Sequence, residues 1–180
     1  ADLLQLSPAG REAMATAVRT RIQELLTTLD TRFPVYLLIT KADLLPGFME
    51  SFGDLPREGR EQVWGTTFAF DEKNPAVPPL TVFGQRFDEL TARVGEGVPE
   101  RLLRERDLGR RALIHGFAHQ LATIRPALLD FIGQAFPQSA LTGKVFLRGF
   151  YLTSGTQEGN PIDRVMGTFG RQFGLQQQLL

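Results

Sequence analysis

Apolar side chains fall along this chain in two kinds of stretch, one with helical spacing and one with no spacing at all. Met14, Val18, Ile22, Leu25 and Leu29 recur every three or four residues and form a single stripe, which predicts a helix. Ser7-Pro8 supplies its start. A serine oxygen can accept from the first free N–H groups, and proline fits the first helical position because no partner awaits its nitrogen there. The helix is expected to end over residues 31–34, since Pro34 disfavours helical geometry in the residue before it. Residues 35–39, VYLLI, are apolar throughout without alternation. That pattern predicts a strand buried on both faces, as in a parallel sheet covered by helices.

Residues 46–80 are broken by Gly47, Gly53, Pro56, Gly59, Gly65, Pro75, Pro78 and Pro79. Short helical turns are expected around 47–53 and 57–64, with Trp64 buried against them. From about residue 80 to 136 the pattern turns helical, and Leu113, Phe117, Leu121, Ile124, Leu128, Ile132 and Phe136 form its stripe. Pro126 is expected to kink that helix rather than end it. Residues 144–152, KVFLRGFYL, read as a second strand that runs into a turn at Thr153-Ser154-Gly155-Thr156. Residues 161–173 read as a closing helix with Ile162, Val165, Met166, Phe169 and Phe173 on one side, followed by a frayed tail at 176–178.

Two strands separated by a long, mostly helical interval predict a helix-rich α/β fold with a split architecture. Residues 1–46 and 141–180 are expected to form a partial GTPase-like layer of the P-loop NTPase type, with a parallel sheet. Residues 47–140 are expected to hang from it as a helical insertion. If the strands are parallel neighbours, their carboxyl ends lie side by side, which is where open α/β sheets bind ligands. Thr40, Lys41 and Asp43 would sit there beside Thr153, Ser154 and Gly155.

Composition narrows the function. With 42% hydrophobic and 22% charged residues, the chain has the make-up of an ordinary globular domain. Twenty basic and twenty acidic residues give a formal net charge of zero, which argues against a nucleic-acid binder. The absence of cysteine excludes disulfides, thiolate metal sites and thiol catalysis. No apolar run approaches the ~20 residues that span a bilayer, and no secretory signal is visible. No direct membrane contact is therefore expected of this stretch. Opening at Ala1-Asp2-Leu3 without an initiator Met, it reads as a piece of a longer protein.

Thr40-Lys41-Ala42-Asp43 after an apolar strand is how many GTP-binding folds present their guanine-reading loop. In such a site the Asp accepts from N1–H and the exocyclic amine of the base, and the Lys stem covers one face of the ring. The Thr ties the loop to the phosphate loop, and the turn Thr153-Ser154-Gly155 would offer a backbone N–H to the guanine O6. A charged acceptor discriminates strongly because the wrong base leaves it unpaired. The phosphate loop G-x-x-x-x-G-K-[ST] is missing: at Gly143-Lys144, Gln138 replaces the first Gly and Val145 the Ser or Thr. The stretch thus looks like the second half of a nucleotide-binding fold and is expected to have no catalytic activity alone. A second reading has Asp43 capping a helix that begins at Leu44.

His115 and His119 lie one helical turn apart, but no third ligand is evident and no metal site is expected. The arginines at 101, 104, 106, 110 and 111 alternate with Glu100, Glu105 and Asp107. They read most simply as a solvated face with ion pairs inside helices, and more sharply as a protein-docking patch at Arg104 and Arg111. Nothing resembles a Ser-His-Asp or Cys-His arrangement.

Three segments, TKADLLPGF (40–48), QVWGTTF (62–68) and RGFYLTSGTQEGNPIDRV (148–165), resemble the cytoplasmic region of the IcmF-related, or TssM, family of bacterial type VI secretion systems. The helical ERDLGRRALIHGFAHQLATIRPALLDFI (105–132) is similar to the same family, and the likeness runs from about residue 35 to 175. The resemblance implies a large inner-membrane protein of Gram-negative bacteria with a cytoplasmic NTPase-like domain, this stretch lying at the cytoplasmic face. It implies a membrane complex with the lipoprotein TssJ and the inner-membrane subunit TssL, anchoring a contractile tail whose baseplate approaches from the cytoplasm. Many members carry a Walker-type phosphate loop, which would lie upstream of Ala1, so GTP or ATP with magnesium is the cofactor expected of a full domain. By position, Thr40, Lys41 and Asp43 match the base-reading motif, and Ser154 and Gly155 the later turn. Thr40 departs from the Asn usual in GTPases.

Overall fold

Three strands, β1 (Phe33–Ile39), β2 (Trp64–Thr67) and β3 (Val145–Leu152), form one sheet in the order β1-β3-β2. The computed structural model describes residues 2–31, 33–55, 57–60, 63–69, 79–137 and 145–154. Its helices are α1 (Asp2–Gln5), α2 (Pro8–Leu29), α3 (Phe48–Phe52), α4 (Arg57–Arg60), α5 (Pro79–Glu96), α6 (Val98–Arg104) and α7 (Leu108–Ala135). The predicted helix over 161–173, the tail at 176–178 and Gly155 lie outside the described residues.

β1 and β3 run parallel, whereas β2 pairs antiparallel with β3, so the sheet is mixed rather than wholly parallel. β2 went unread because four residues, WGTT, carry no alternation and contain a Gly that weakens strand propensity. Trp64 begins this strand rather than closing a helical turn. Gly65 is required there: a Cβ on it would lie 2.2 Å from the Phe150 carbonyl oxygen across the pair. Residues 47–140 therefore supply a strand to the sheet as well as helices. The fold remains helix-rich α/β.

The expected burial of β1 on both faces is also corrected. Val35, Leu37 and Ile39 pack on the core, while Tyr36 and Leu38 on the opposite face are 45% and 59% exposed. α5 and α7 cover only one side of the sheet. Among the described residues β1 pairs on one side only, with β3, and a proline inside a strand is found where the strand lies at an edge.

The core is aromatic. Phe150 of β3 meets Phe83 and Phe87 of α5 at ring-centroid distances of 4.6 and 5.9 Å, and all three are fully buried. A second cluster gathers Phe48 and Phe52 of α3 and Trp64 of β2 on Phe117 of α7. Helix α7 keeps most of its predicted stripe, with Phe117, Leu121, Ile124, Leu128 and Ile132 buried. Ile114 replaces Leu113 as the inward residue of the first turns, and the helix continues through Pro126. Arg125 clamps α7 to α5 by pairing both its Nε and Nη2 with Asp88, at 2.6 and 2.8 Å.

Helix α2 starts as predicted, with the Gly10 N–H donating to Ser7 Oγ at 3.2 Å. Its inward face is turned from the expected one: Ala15 and Leu26 are buried and Val18 and Ile22 of the stripe are half-buried, while Met14, Leu25 and Leu29 are 43%, 47% and 57% exposed. The cause is close packing on α7, which favours the small Ala15 at the contact over a larger neighbour, with Arg11 reaching Asp130 at 3.5 Å beside it. Among the described residues no helix is long and apolar enough to cross a membrane.

Phe150→Ala should cost about 3–5 kcal/mol in urea unfolding, because a ring contacted from two directions leaves a cavity. Leu108→Ala, at a side chain 82% exposed, should stay within about 0.5 kcal/mol by the same measurement.

Candidate functional site

Parallel pairing of β1 with β3 places their carboxyl ends side by side, and the two loops that follow are stitched together. The Thr153 N–H donates to the Ile39 carbonyl at 2.9 Å, and the Ala42 N–H donates to the Thr153 carbonyl at 3.1 Å. These bonds carry the ladder one step beyond the strands. The chain then turns sharply: Lys41 takes a left-handed conformation with φ of 62°, and residues Ala42–Leu44 form a single 3-10 turn. A lysine at positive φ is uncommon and persists where its surroundings hold it.

The turn brings Asp43 inward, where it is only 9% exposed. Its Oδ1 accepts a hydrogen bond from the Ser154 hydroxyl at 2.8 Å. The structure thus brings four of the five sequence-predicted residues to one place: Thr40 exposed, Lys41 half-buried, Asp43 buried and Ser154 bonded to it. Gly155 lies outside the described residues. The reading of Asp43 as a helix cap is corrected, since its carboxylate reaches across to the other loop instead of to its own turn. The role of the Ser154 hydroxyl was not legible in the sequence. Only the three-dimensional closeness of two loops far apart in the chain reveals it.

Chemically, this is a polar junction between two strand ends. A carboxylate held by a hydroxyl donor and two backbone bonds beside it is stiff, and it keeps an acceptor where the loops meet. Such a junction can fix the relative position of the two loops. It can also offer Asp43 to a ligand that brings its own donors.

The arginine patch is more tied down than its composition suggests. Arg104 Nη2 pairs with Glu100 Oε1 at 2.5 Å within α6, and both are exposed. Arg111 Nη1 donates to the Glu105 carbonyl at 3.2 Å. Glu105 organises the corner between α6 and α7: its carboxylate accepts from the Arg106 and Asp107 N–H groups and from Arg110 Nε. These donors, the Asp107 N–H first and then the Arg110 guanidinium, hold the Glu105 carboxyl below the usual carboxylate range. Arg110 reaches on to Asp54 at 3.2 Å, and the Arg101 guanidinium lies 5.1 Å over the Phe52 ring. His115 and His119 are exposed on the outer side of α7, and no cluster of three metal-ligating side chains occurs among the described residues.

Compared with known proteins, residues 1–180 match the family model described as the IcmF-related N-terminal domain. The type VI secretion system component TssM1 of Pseudomonas aeruginosa is 48% identical over 179 residues. That alignment takes in 99% of this chain but spans only 16% of the length of that relative. No solved structure matches.

Two measurements check this geometry. A double-mutant cycle of Asp43→Ala and Ser154→Ala in urea should give a coupling of about 1–2 kcal/mol, as for a hydrogen bond to a charged group. In an NMR titration, the Glu105 carboxyl should protonate below the free-glutamate value of about 4.3. Because its folded value is the lower one, its contribution to stability is present above the unfolded value. It is lost as pH falls through the folded one, and the Arg106 and Asp107 amide signals should shift in the same step.

Proposed function

The chain belongs to the IcmF-related family through its N-terminal domain, and from that membership we propose that it serves as a structural module of a type VI secretion system. In this reading it anchors the apparatus at the cytoplasmic face of the inner membrane and docks the baseplate, in a complex with TssL and TssJ. The junction of Asp43 with Ser154 supports the reading best. The Asp43 carboxylate at the strand ends is already engaged by the chain's own hydroxyl, as suits a rigid connection. The sequence also lacks the phosphate-binding loop that would let this stretch hold a nucleotide by itself.

A second reading has an observation in its favour. Thr40, Lys41 and Asp43 occupy the carboxyl end of a strand beside a parallel neighbour, the place where open α/β sheets take ligands. There the Ser154 bond would preposition the Asp43 carboxylate for a guanine edge, inside a GTPase-like domain that hydrolyses GTP or ATP with magnesium to energise assembly. The phosphate loop would come from elsewhere in the protein.

Calorimetry separates the two. On the scaffold reading, the 180-residue chain binds neither GTP nor ATP at micromolar concentration, and a longer protein carrying the preceding residues does not bind them either. Micromolar binding that Asp43→Ala weakens about tenfold, about 1.4 kcal/mol, would instead establish base reading. Docking is tested by Arg104→Glu with Arg111→Glu: recovery of cytoplasmic baseplate proteins should fall severalfold with circular dichroism unchanged. Unchanged recovery would leave the corner a solvated face.

A further inference from the structure

Residues 41–55 run from the strand-end junction to the corner between α6 and α7, and both of their ends are bonded. At one end the Asp43 carboxylate accepts from the Ser154 hydroxyl at 2.8 Å. At the other, Asp54 pairs with Arg110 at 3.2 Å, and the Arg101 guanidinium lies over the Phe52 ring. Glu50 of α3 adds its charge to the same Arg110. Arg110 in turn holds Glu105, the carboxylate that organises the corner, at 2.7 Å.

Between these ends the backbone is bonded without a gap. The Leu44 N–H donates to the Lys41 carbonyl at 3.2 Å, Leu45 to Ala42 at 3.0 Å and Phe48 to Leu45 at 3.0 Å. Ser51 donates to Gly47 at 3.0 Å, Gly53 to Met49 at 2.7 Å and Leu55 to Phe52 at 3.2 Å. Each of these spans begins at or before the residue where the previous one ends, so the segment moves as one piece.

Its middle rests on α7 through contacts of a different kind. Gly47, at a φ of 87°, crosses α7 so closely that a Cβ would lie 2.4 Å from the Leu113 carbonyl oxygen. Phe48 and Phe52 lie against Phe117 with centroids 6.1 and 5.7 Å away, and both lie against Trp64 as well. Apolar burial is non-directional, so a small tilt about Gly47 keeps most of it. The polar bonds at the two ends are directional and weaken steeply when misaligned. The Asp54 side chain is 86% exposed, so its ion pair opens at little cost. A stiff piece with a close pivot in the middle and a polar latch at each end is a lever.

We propose that residues 41–55 couple the Asp43–Ser154 bond to the ion pairs of the α6–α7 corner, so that opening either latch loosens the other. Such coupling runs equally in both directions. It is independent of which reading above holds. Whatever takes Asp43 from Ser154 would be felt at the corner, and whatever takes Arg110 from Asp54 would be felt at the strand ends.

Amide hydrogen exchange followed by NMR on the 180-residue chain tests this. Ser154→Ala changes one exposed hydroxyl. It should speed exchange at Asp107 and Arg110, whose N–H groups bond within the corner, about twofold to threefold. Leu121 and Leu128, further along α7, should keep their rates. In reverse, Glu50→Gln with Asp54→Asn should speed exchange at Ala42 and Thr153, which carry the bonds of the junction. With those two carboxylates removed, adding Ser154→Ala should change nothing further at the corner. A corner that ignores Ser154→Ala overturns the proposal. So does a response shared by Leu121 and Leu128, which would mean that the whole fold has loosened. A corner response to Ser154→Ala that survives the loss of both carboxylates overturns it as well.

Discussion

Phe150 sits where the rest of the structure converges. It lies on the central strand, between the two strands that flank it, and its ring fills the space under Phe83 and Phe87. One fully buried aromatic side chain removes a large apolar area from water, on the order of 2–3 kcal/mol at the usual transfer value. Its larger effect is geometric. By seating α5 on β3 it fixes which side of the sheet is the inside. Through the ladder, Leu37 is set beside it and Ile39 beside Leu152. The strand ends, and the loops that leave them, inherit their positions from that packing.

From there the junction follows with little freedom. Once Ile39 and Leu152 are paired, the Thr153 N–H and the Ala42 N–H meet carbonyls across the gap. The left-handed Lys41 swings Asp43 inward, and Ser154 is the first residue past the ladder able to reach it. A buried carboxylate without a donor would be costly. The Ser154 hydroxyl removes much of that cost, so the two loops stabilise each other.

Much of this was legible in the sequence, for identifiable reasons. Helix α7 announced itself because a long stripe leaves room for error: losing Leu113 to Ile114 changes one turn and not the helix. β1 and β3 were legible as dense apolar runs. The sidedness of α2 was not, because apolar residues ring a wide arc of that helix and its contact with α7 chose the small Ala15 over Met14 and Leu25. β2 was invisible because WGTT gains its strand geometry from β3, whose backbone approaches too closely for anything but glycine at position 65. At the strand ends, the parallel pairing expected of β1 and β3 brings the loop of Thr40, Lys41 and Asp43 beside Thr153 and Ser154. The motif could not say that the Ser154 side chain would answer Asp43, since a hydroxyl and a carboxylate separated by most of the chain share no local pattern.

The corner between α6 and α7 shows why counting charges misreads such a surface. Five arginines within residues 101–111 look like an open basic face. In the fold, Glu105 turns part of that charge inward, accepting two backbone N–H groups and Arg110, while Arg111 closes back on its carbonyl. An arginine already spent on its own chain is a weaker bait for a partner, because docking would have to replace a bond as well as make one. The two large apolar residues that bracket this corner, Leu103 and Leu108, are 87% and 82% exposed. Any contact made here would therefore draw its energy mainly from those leucines. The arginines would orient the partner, as charges at the rim of an interface do.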